Sequence, residues 1–202
     1  MIVDTHLLIS QILYKYLSNQ MNFKLDRLAF AGGNIKPDFS NKDINRGHTS
    51  YQSLYNLNKY SKELISKNIS NKEFSWSLGV ICHFACDYFC IYHRDGNDKK
   101  GVLEHLFYEV ALHVKLLTLL ASGKVNLSNY AMDENNLDEI VMKLQKKYYL
   151  ESESLLRDIT YALFATSQIS KLIVCSSQVY LHQRETSISK SNQLGKINGG
   201  NI

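Results

Sequence analysis

Two pairs of histidine and carboxylate stand out because each pair interrupts a strongly apolar segment. His83 and Asp87 lie in ICHFACDYF, and His105 and Glu109 lie in LEHLFYEVAL. A spacing of four residues places both side chains of a pair on one face of a helix, where they can ligate one ion together. A buried ionised carboxylate is unstable without a partner, and a metal ion is one of the few partners that compensate it. The two pairs therefore predict metal ligation.

Other histidines and acids, at predicted helix ends and on a long polar loop, can join these pairs. The predicted ligands are His6, Asp38, His48, His83, Asp87, His93, His105 and Glu109. Imidazole nitrogen combined with carboxylate oxygen suits zinc better than calcium or magnesium, which prefer oxygen alone. One ion does not need so many ligands. We therefore expect two or three zinc ions, with one carboxylate bridging.

The elements that carry these residues are predicted to be helices, because apolar residues recur at spacings of three and four and the chain has one proline. Gly32 and Gly33 are expected to close the second helix and to open an irregular loop over residues 32–48. The predicted helices span residues 4–19, 24–31, 50–67, 72–92, 102–122, 137–149 and 152–183. We expect an all-α, multi-helix bundle as a single domain over residues 1–184, followed by a flexible tail over residues 185–202.

The composition limits the classes of protein to which the chain can belong. With 202 residues, 45% hydrophobic and 21% charged, the chain has the make-up of a folded domain and not of a disordered protein. The net charge of +4 is too small to indicate a stable complex with nucleic acid. The sequence shows no secretory signal and no apolar stretch of about 20 residues, so we expect a cytoplasmic protein, with a secreted form as the alternative. The oligomeric state stays open.

Three of the four cysteines, Cys82, Cys86 and Cys90, follow one another at intervals of four residues beside the first histidine pair. Such a stripe can supply thiolates to a metal ion, or it can fill space in the core. We favour the packing role, which is the common one for buried cysteines.

In order and spacing, the predicted ligands resemble those of the bacterial zinc-dependent phospholipases C, including the catalytic domain of the clostridial alpha-toxin type. The matching pattern is THLLI near the start, KPD followed by a histidine, HxxxD, a histidine six residues later, and HxxxE after twelve more. The resemblance covers roughly residues 3–110 and is greatest to the shorter members without a signal sequence. It implies an all-α fold in which the metal ions lie between helices.

The resemblance also implies how the ligands are shared among the ions. It assigns them in three sets: Asp38, His48, His83 and Asp87; His93, His105 and Glu109; and His6 with Asp87 again. In the family, the third ion is completed by the amino and carbonyl groups of an N-terminal tryptophan. Here residue 1 is Met1 and the sole tryptophan is Trp76, so the chain departs from the family at the third ion.

The activity implied by the resemblance is hydrolysis of a phospholipid, or of another phosphodiester, by water that zinc activates, with a membrane surface as a further partner. Asp38, which follows Pro37 on the loop, is the predicted catalytic residue, because a ligand carboxylate there can also orient or deprotonate the water. Two alternatives stay open. One is a zinc-dependent nuclease, which shares the fold, and the other is a non-catalytic protein that binds metal or a partner.

Overall fold

The computed structural model describes residues 1–39, 50–94, 101–127 and 136–198. Within these ranges the chain forms eight α-helices and two short 3-10 helices and contains no strand, so the predicted all-α fold is confirmed. The α-helices, in chain order, are α1 (Val3–Met21), α2 (Arg27–Ile35), α3 (Ser50–Ser66), α4 (Asn71–Tyr88), α5 (Val102–Ala121), α6 (Leu137–Leu150), α7 (Leu155–Ser176) and α8 (Gln178–Asn198). The 3-10 helices are Lys36–Phe39 and Ile91–His93.

Several helices begin at a side chain that satisfies the free backbone N–H groups of the first turn. At the start of α4, the N–H of Glu73 donates to Ser70 Oγ, and the N–H of Ser70 donates to the Glu73 carboxylate. Asp26 caps α2 and Ser154 caps α7 in the simpler, one-sided way. These caps fix where the helices start, because the first N–H groups of a helix have no partner within it.

Helix α4 lies at the centre of the bundle and packs against α2, α3 and α7. Every residue from Ile81 to Tyr88 is buried, and this stretch includes His83 and Asp87. The last two turns of α4 therefore carry an imidazole and a carboxylate into the interior of the protein. This is the environment in which such groups need compensating partners.

The close approach of α2 to α4 corrects one prediction. We expected Gly32 and Gly33 to end the second helix, but α2 continues through both of them to Ile35. A methyl group on Gly33 would overlap the backbone carbonyl of Trp76, and one on Gly79 would overlap that of Phe30. These glycines mark the place where two helix backbones touch, which is a use of glycine that a sequence does not distinguish from a helix end.

Two other predicted boundaries differ from the structure. The predicted helix 72–92 ends at Tyr88 and is followed by the 3-10 helix Ile91–His93, while the predicted helix 152–183 is divided at Ser177 into α7 and α8.

Helix α8 then runs to Asn198, so the backbone of the predicted tail is helical over most of its length. No proline or glycine interrupts residues 178–194, so nothing in this stretch breaks the helix although residues 185–188 are exposed. The domain boundary at residue 184 stays a prediction.

Among the described helices, α7 alone is long and apolar enough to cross a membrane by length and composition. However, 67% of its most apolar window is buried inside the protein. A buried core helix passes the same test of composition as a membrane span. We therefore assign α7 to the core of the bundle.

Replacing Gly79 by alanine is expected to lower the free energy of unfolding by about 1–3 kcal/mol, because the new methyl group would force α2 away from α4. Denaturant unfolding followed by circular dichroism measures the change. Gly101→Ala is the control, since a methyl group at this position meets nothing within 4 Å. Its effect should stay below about 1 kcal/mol. Equal stability of G79A and the unmodified chain would contradict the close crossing.

Candidate metal centre

The predicted ligands that the structure describes converge on one region between the start of α1, the end of α4 and the first half of α5. They are His6, Asp38, His83, Asp87, His93, His105 and Glu109. The remaining predicted ligand, His48, lies outside the described residues. The side chains form two groups that meet at the α-amino group of Met1.

The inner group consists of His6, His83 and Asp87, all of them buried, with one potential ligand atom from each within 4.8 Å of the others. The Asp87 carboxylate lies 3.4 Å from His6 Nε2 and 3.0 Å from His83 Nε2. The two imidazole rings stack with their centroids 4.1 Å apart. Asp38 lies at the edge of this group, with Oδ1 3.8 Å from His83 Nε2. Helices α1 and α4 and the 3-10 helix Lys36–Phe39 thus bring four predicted ligands to one place.

The outer group consists of His93, His105 and Glu109, whose potential ligand atoms also lie within 4.8 Å of one another. Glu109 Oε1 is 2.9 Å from His105 Nε2 and 3.3 Å from His93 Nε2. His93 is buried, whereas His105 and Glu109 are partly exposed. This group therefore faces solvent more than the inner group does.

The α-amino group of Met1 joins the two groups. Its nitrogen lies 2.9 Å from Asp87 Oδ1, 2.9 Å from His93 Nε2 and 3.0 Å from Glu109 Oε1. Sequence analysis missed this group, because we looked for a tryptophan at residue 1. The family's ligands at that position are backbone atoms, which any residue carries. The signal that was available is the short distance along the chain between Met1 and His6.

A backbone carbonyl orients His83. The ring nitrogen Nδ1 of His83 lies 2.8 Å from the carbonyl oxygen of Asn34, so Nδ1 carries the proton and donates it. The other nitrogen, Nε2, is then the one with a lone pair, and it faces Asp87 and Asp38. Histidines that bind a metal ion commonly donate their second nitrogen in this way. Asn34 follows Gly33 in α2, so the close helix crossing also places this carbonyl.

Burial and neighbouring charges shift the pKa values in this region. Burial alone would raise the pKa of Asp87, but the amino group of Met1, with His93 and His83, holds it well below its usual value. Burial, with a smaller contribution from His83, lowers the pKa of His6 to about 3. At neutral pH the Asp87 carboxylate is therefore ionised and the His6 imidazole is neutral, which are the protonation states that bind a metal ion. Burial alone would lower the pKa of His83, but Asp87 and Asp38 raise it above its usual value.

Comparison with known families agrees with this geometry. A sequence model described as zinc dependent phospholipase C matches residues 5–155, which is most of the chain and includes all the predicted ligands. The chain belongs to this family. No curated protein and no solved structure matched the chain in the corresponding searches.

The donor atoms of this family member fit the zinc that the family requires. The ring nitrogen Nδ1 of His6 is buried and has no hydrogen-bond partner among the described residues, and the same holds for Asp38 Oδ2. Buried polar atoms in proteins nearly always have a partner. Imidazole nitrogens and carboxylate oxygens are also the ordinary ligands of zinc. The unsatisfied atoms and their chemistry together indicate a zinc centre here.

The cysteine stripe lies in the apolar core and not among the two ligand groups. Cys82, Cys86 and Cys90 are completely or almost completely buried, and burial raises the pKa of Cys82 and of Cys90 to about 12. Thiols with such pKa values stay protonated, whereas zinc binds the thiolate. Cys82 Sγ lies 3.2 Å from Ser170 Oγ on α7. These contacts agree with the packing role that we favoured.

Replacing Asp87 by asparagine is expected to lower the zinc content of the purified protein by at least one equivalent, because this carboxylate contacts His6, His83 and the amino group of Met1. Elemental analysis of protein prepared without a tag or chelator measures the content. His182→Asn, which removes an exposed histidine on α8, is the control for incidental binding and should leave the content unchanged. Full zinc content in D87N would remove Asp87 from the ligand set.

Proposed function

We propose that this chain hydrolyses phospholipids as a phospholipase C. Water adds to the phosphorus atom, the bond from phosphorus to the glycerol oxygen breaks, and the products are diacylglycerol and the phosphorylated headgroup. The observation that carries this proposal is the convergence of the two ligand groups, within the segment that matches the family, on the amino group of Met1. These ligands come from positions between His6 and Glu109, so the packing of several helices is needed to bring them together.

Each predicted ligand has a place in this proposal. Asp38, His83 and Asp87, together with His48, would hold one ion, and the outer group would hold a second. His6, Asp87 and the Met1 amino group offer a third set of donors, although residue 1 is not tryptophan. When bound, zinc supplies positive charge against the phosphoryl oxygens and lowers the pKa of water to about 7.

Asp38 is proposed to orient the attacking water and to accept its proton, in addition to contributing a ligand atom. It stands on the 3-10 helix after Pro37, and its side chain is 19% exposed while those of His83 and Asp87 are fully buried. Its carboxylate therefore borders both the ligands and the opening to solvent. A general base needs such a position, because it must reach the water and release the proton afterwards.

An exposed apolar side of α5 favours a lipid substrate over a nucleic acid. Helix α5 carries His105 and Glu109, and its solvent-facing side has Leu103, Phe107 and Val110 at spacings of three and four. Phe107 is 71% exposed. Binding of single-stranded nucleic acid calls instead for a basic groove. This apolar side lies across α5 from His105 and Glu109, so we propose that it contacts the acyl region of the lipid while the ligand side faces the headgroup.

Replacing Asp38 by asparagine is expected to lower the rate of phosphatidylcholine hydrolysis by about 10²-fold or more, because the variant cannot accept a proton. Release of diacylglycerol from mixed micelles by zinc-loaded protein is the measurement. Asp138→Asn, a change of the same kind at an exposed position on α6, should keep full activity.

The same preparations are assayed on single-stranded DNA. Cleavage of DNA without release of diacylglycerol would replace the phospholipase by the nuclease alternative. Inactivity of the zinc-loaded, unmodified protein on both substrates would favour a binding protein. Either result would contradict the proposed function.

Replacing Phe107 by serine is expected to lower hydrolysis of phosphatidylcholine vesicles by about tenfold, since the loss of one buried aromatic contact with lipid costs more than about 1.4 kcal/mol. Hydrolysis of a monomeric short-chain phosphatidylcholine should change little, because no bilayer has to be reached. Met142→Ser, at an exposed apolar position on α6, is the control. Equal losses of F107S on both substrates would show that the side chain does not act at the lipid surface.

A further inference from the structure

A second buried charge network lies apart from the ligands, on helix α7. Asp158 is 0% exposed, and it lies beyond the end of the segment that matches the family, at residue 155. Its Oδ2 accepts hydrogen bonds from the backbone N–H of Ile91 and from the hydroxyl of Tyr108, both at 2.7 Å. Its Oδ1 accepts from the hydroxyl of Tyr148 at 2.8 Å and from the guanidinium of Arg157 at 3.2 Å. Each carboxylate oxygen of Asp158 thus accepts at least two hydrogen bonds.

The two donors on Oδ2 belong to the two elements that supply the outer group. Ile91 begins the 3-10 helix that ends with His93. Tyr108 directly precedes Glu109 in α5. One carboxylate oxygen therefore fixes the position of the His93 turn relative to the helix that carries His105 and Glu109.

This polar tie matters because few residues of α5 are buried near its ligands, where the other contacts of the helix include those of Tyr92 with Glu104, His105 and Tyr108. The residues of α5 that are buried are Leu112 and Leu116, and both follow the ligands in the chain. The first half of α5 is partly or fully exposed throughout. By contrast, α4 is buried along the whole stretch that holds His83 and Asp87. Apolar packing thus fixes the inner group, whereas the outer group depends more on hydrogen bonds and on the ring contacts of Tyr92.

We propose that Asp158 is a positioning residue for zinc binding by the outer group, acting through Ile91 and Tyr108. The inference rests on the proposed function only in that the outer group binds zinc. Groups that hydrogen-bond directly to metal ligands change metal affinity about 10–100-fold when they are removed. Asp158 contacts the neighbours of the ligands, so we expect an effect at the lower end of that range. The alternative is that the network only stabilises the fold, in the manner of any buried and fully paired carboxylate.

Tyr108 and Tyr148 both donate to Asp158, and variants of these two residues distinguish a positioning role from a purely stabilising one. Tyr108→Phe removes the bond that reaches the ligand helix, and Tyr148→Phe removes a bond of the same type that reaches α6, which carries no predicted ligand. Each variant is titrated with zinc against a competing chelator, its cobalt-substituted form is compared by absorption spectroscopy, and its stability is measured by thermal unfolding. Asp158→Ala removes all the contacts at once and risks unfolding, so the pair of tyrosine variants decides.

The expected result is that Y108F binds its weakest zinc ion about tenfold less tightly and shows an altered cobalt spectrum, while Y148F keeps both properties, at similar losses of thermal stability. Equal zinc affinities and spectra for the two variants, with zinc binding and hydrolysis intact in the unmodified protein, would overturn the positioning role and leave the proposed function standing. Absence of zinc binding by the unmodified protein would overturn both.

Discussion

The structure depends on the compensation of one buried carboxylate. Asp87 is 1% exposed at the end of the central helix, where an ionised group without partners would be strongly unfavourable. Its partners come from the start of α1, from α4 itself and from the turn at His93. The Met1 amino group, His6 and His93 reach Asp87 only because α1 and the segment after α4 pack against the end of α4. The same convergence that neutralises Asp87 creates a set of ligands for a metal ion.

The sequence predicted the contacts within a single helix but not the contacts between distant parts of the chain. The pairs His83 with Asp87 and His105 with Glu109 each lie on a single helix, so their spacing alone placed them together. Met1 contributes its α-amino group, and the identity of a side chain does not predict a contribution from the backbone. The network of Asp158 was missed as well, because its partners other than the adjacent Arg157 lie 10 to 67 residues away and are two tyrosines and a backbone N–H. None of these groups suggests metal chemistry by itself.

The glycines show a second limit of reasoning from sequence. Gly32 and Gly33 have the composition of a turn, and the same residues allow two helices to approach until their backbones touch. Only knowledge of what packs against α2 separates these uses. The distinction matters for function, because the close crossing brings the carbonyl of Asn34 to His83 and so fixes which ring nitrogen is left for a ligand bond. Packing between helices thus determines the chemistry of a histidine.

The two ligand groups differ in what holds them, and this difference constrains how a metal centre can form. The inner group is attached to a fully buried part of α4, so it is ordered by the same apolar contacts that fold the protein. The outer group stands on a half-exposed helix that is tied to α7 through Asp158 and to α1 through Thr5 and His113. A ligand that binds only the native state stabilises it in proportion to its affinity. Zinc in the outer group would therefore add its stabilisation to α5, a helix with few buried residues of its own.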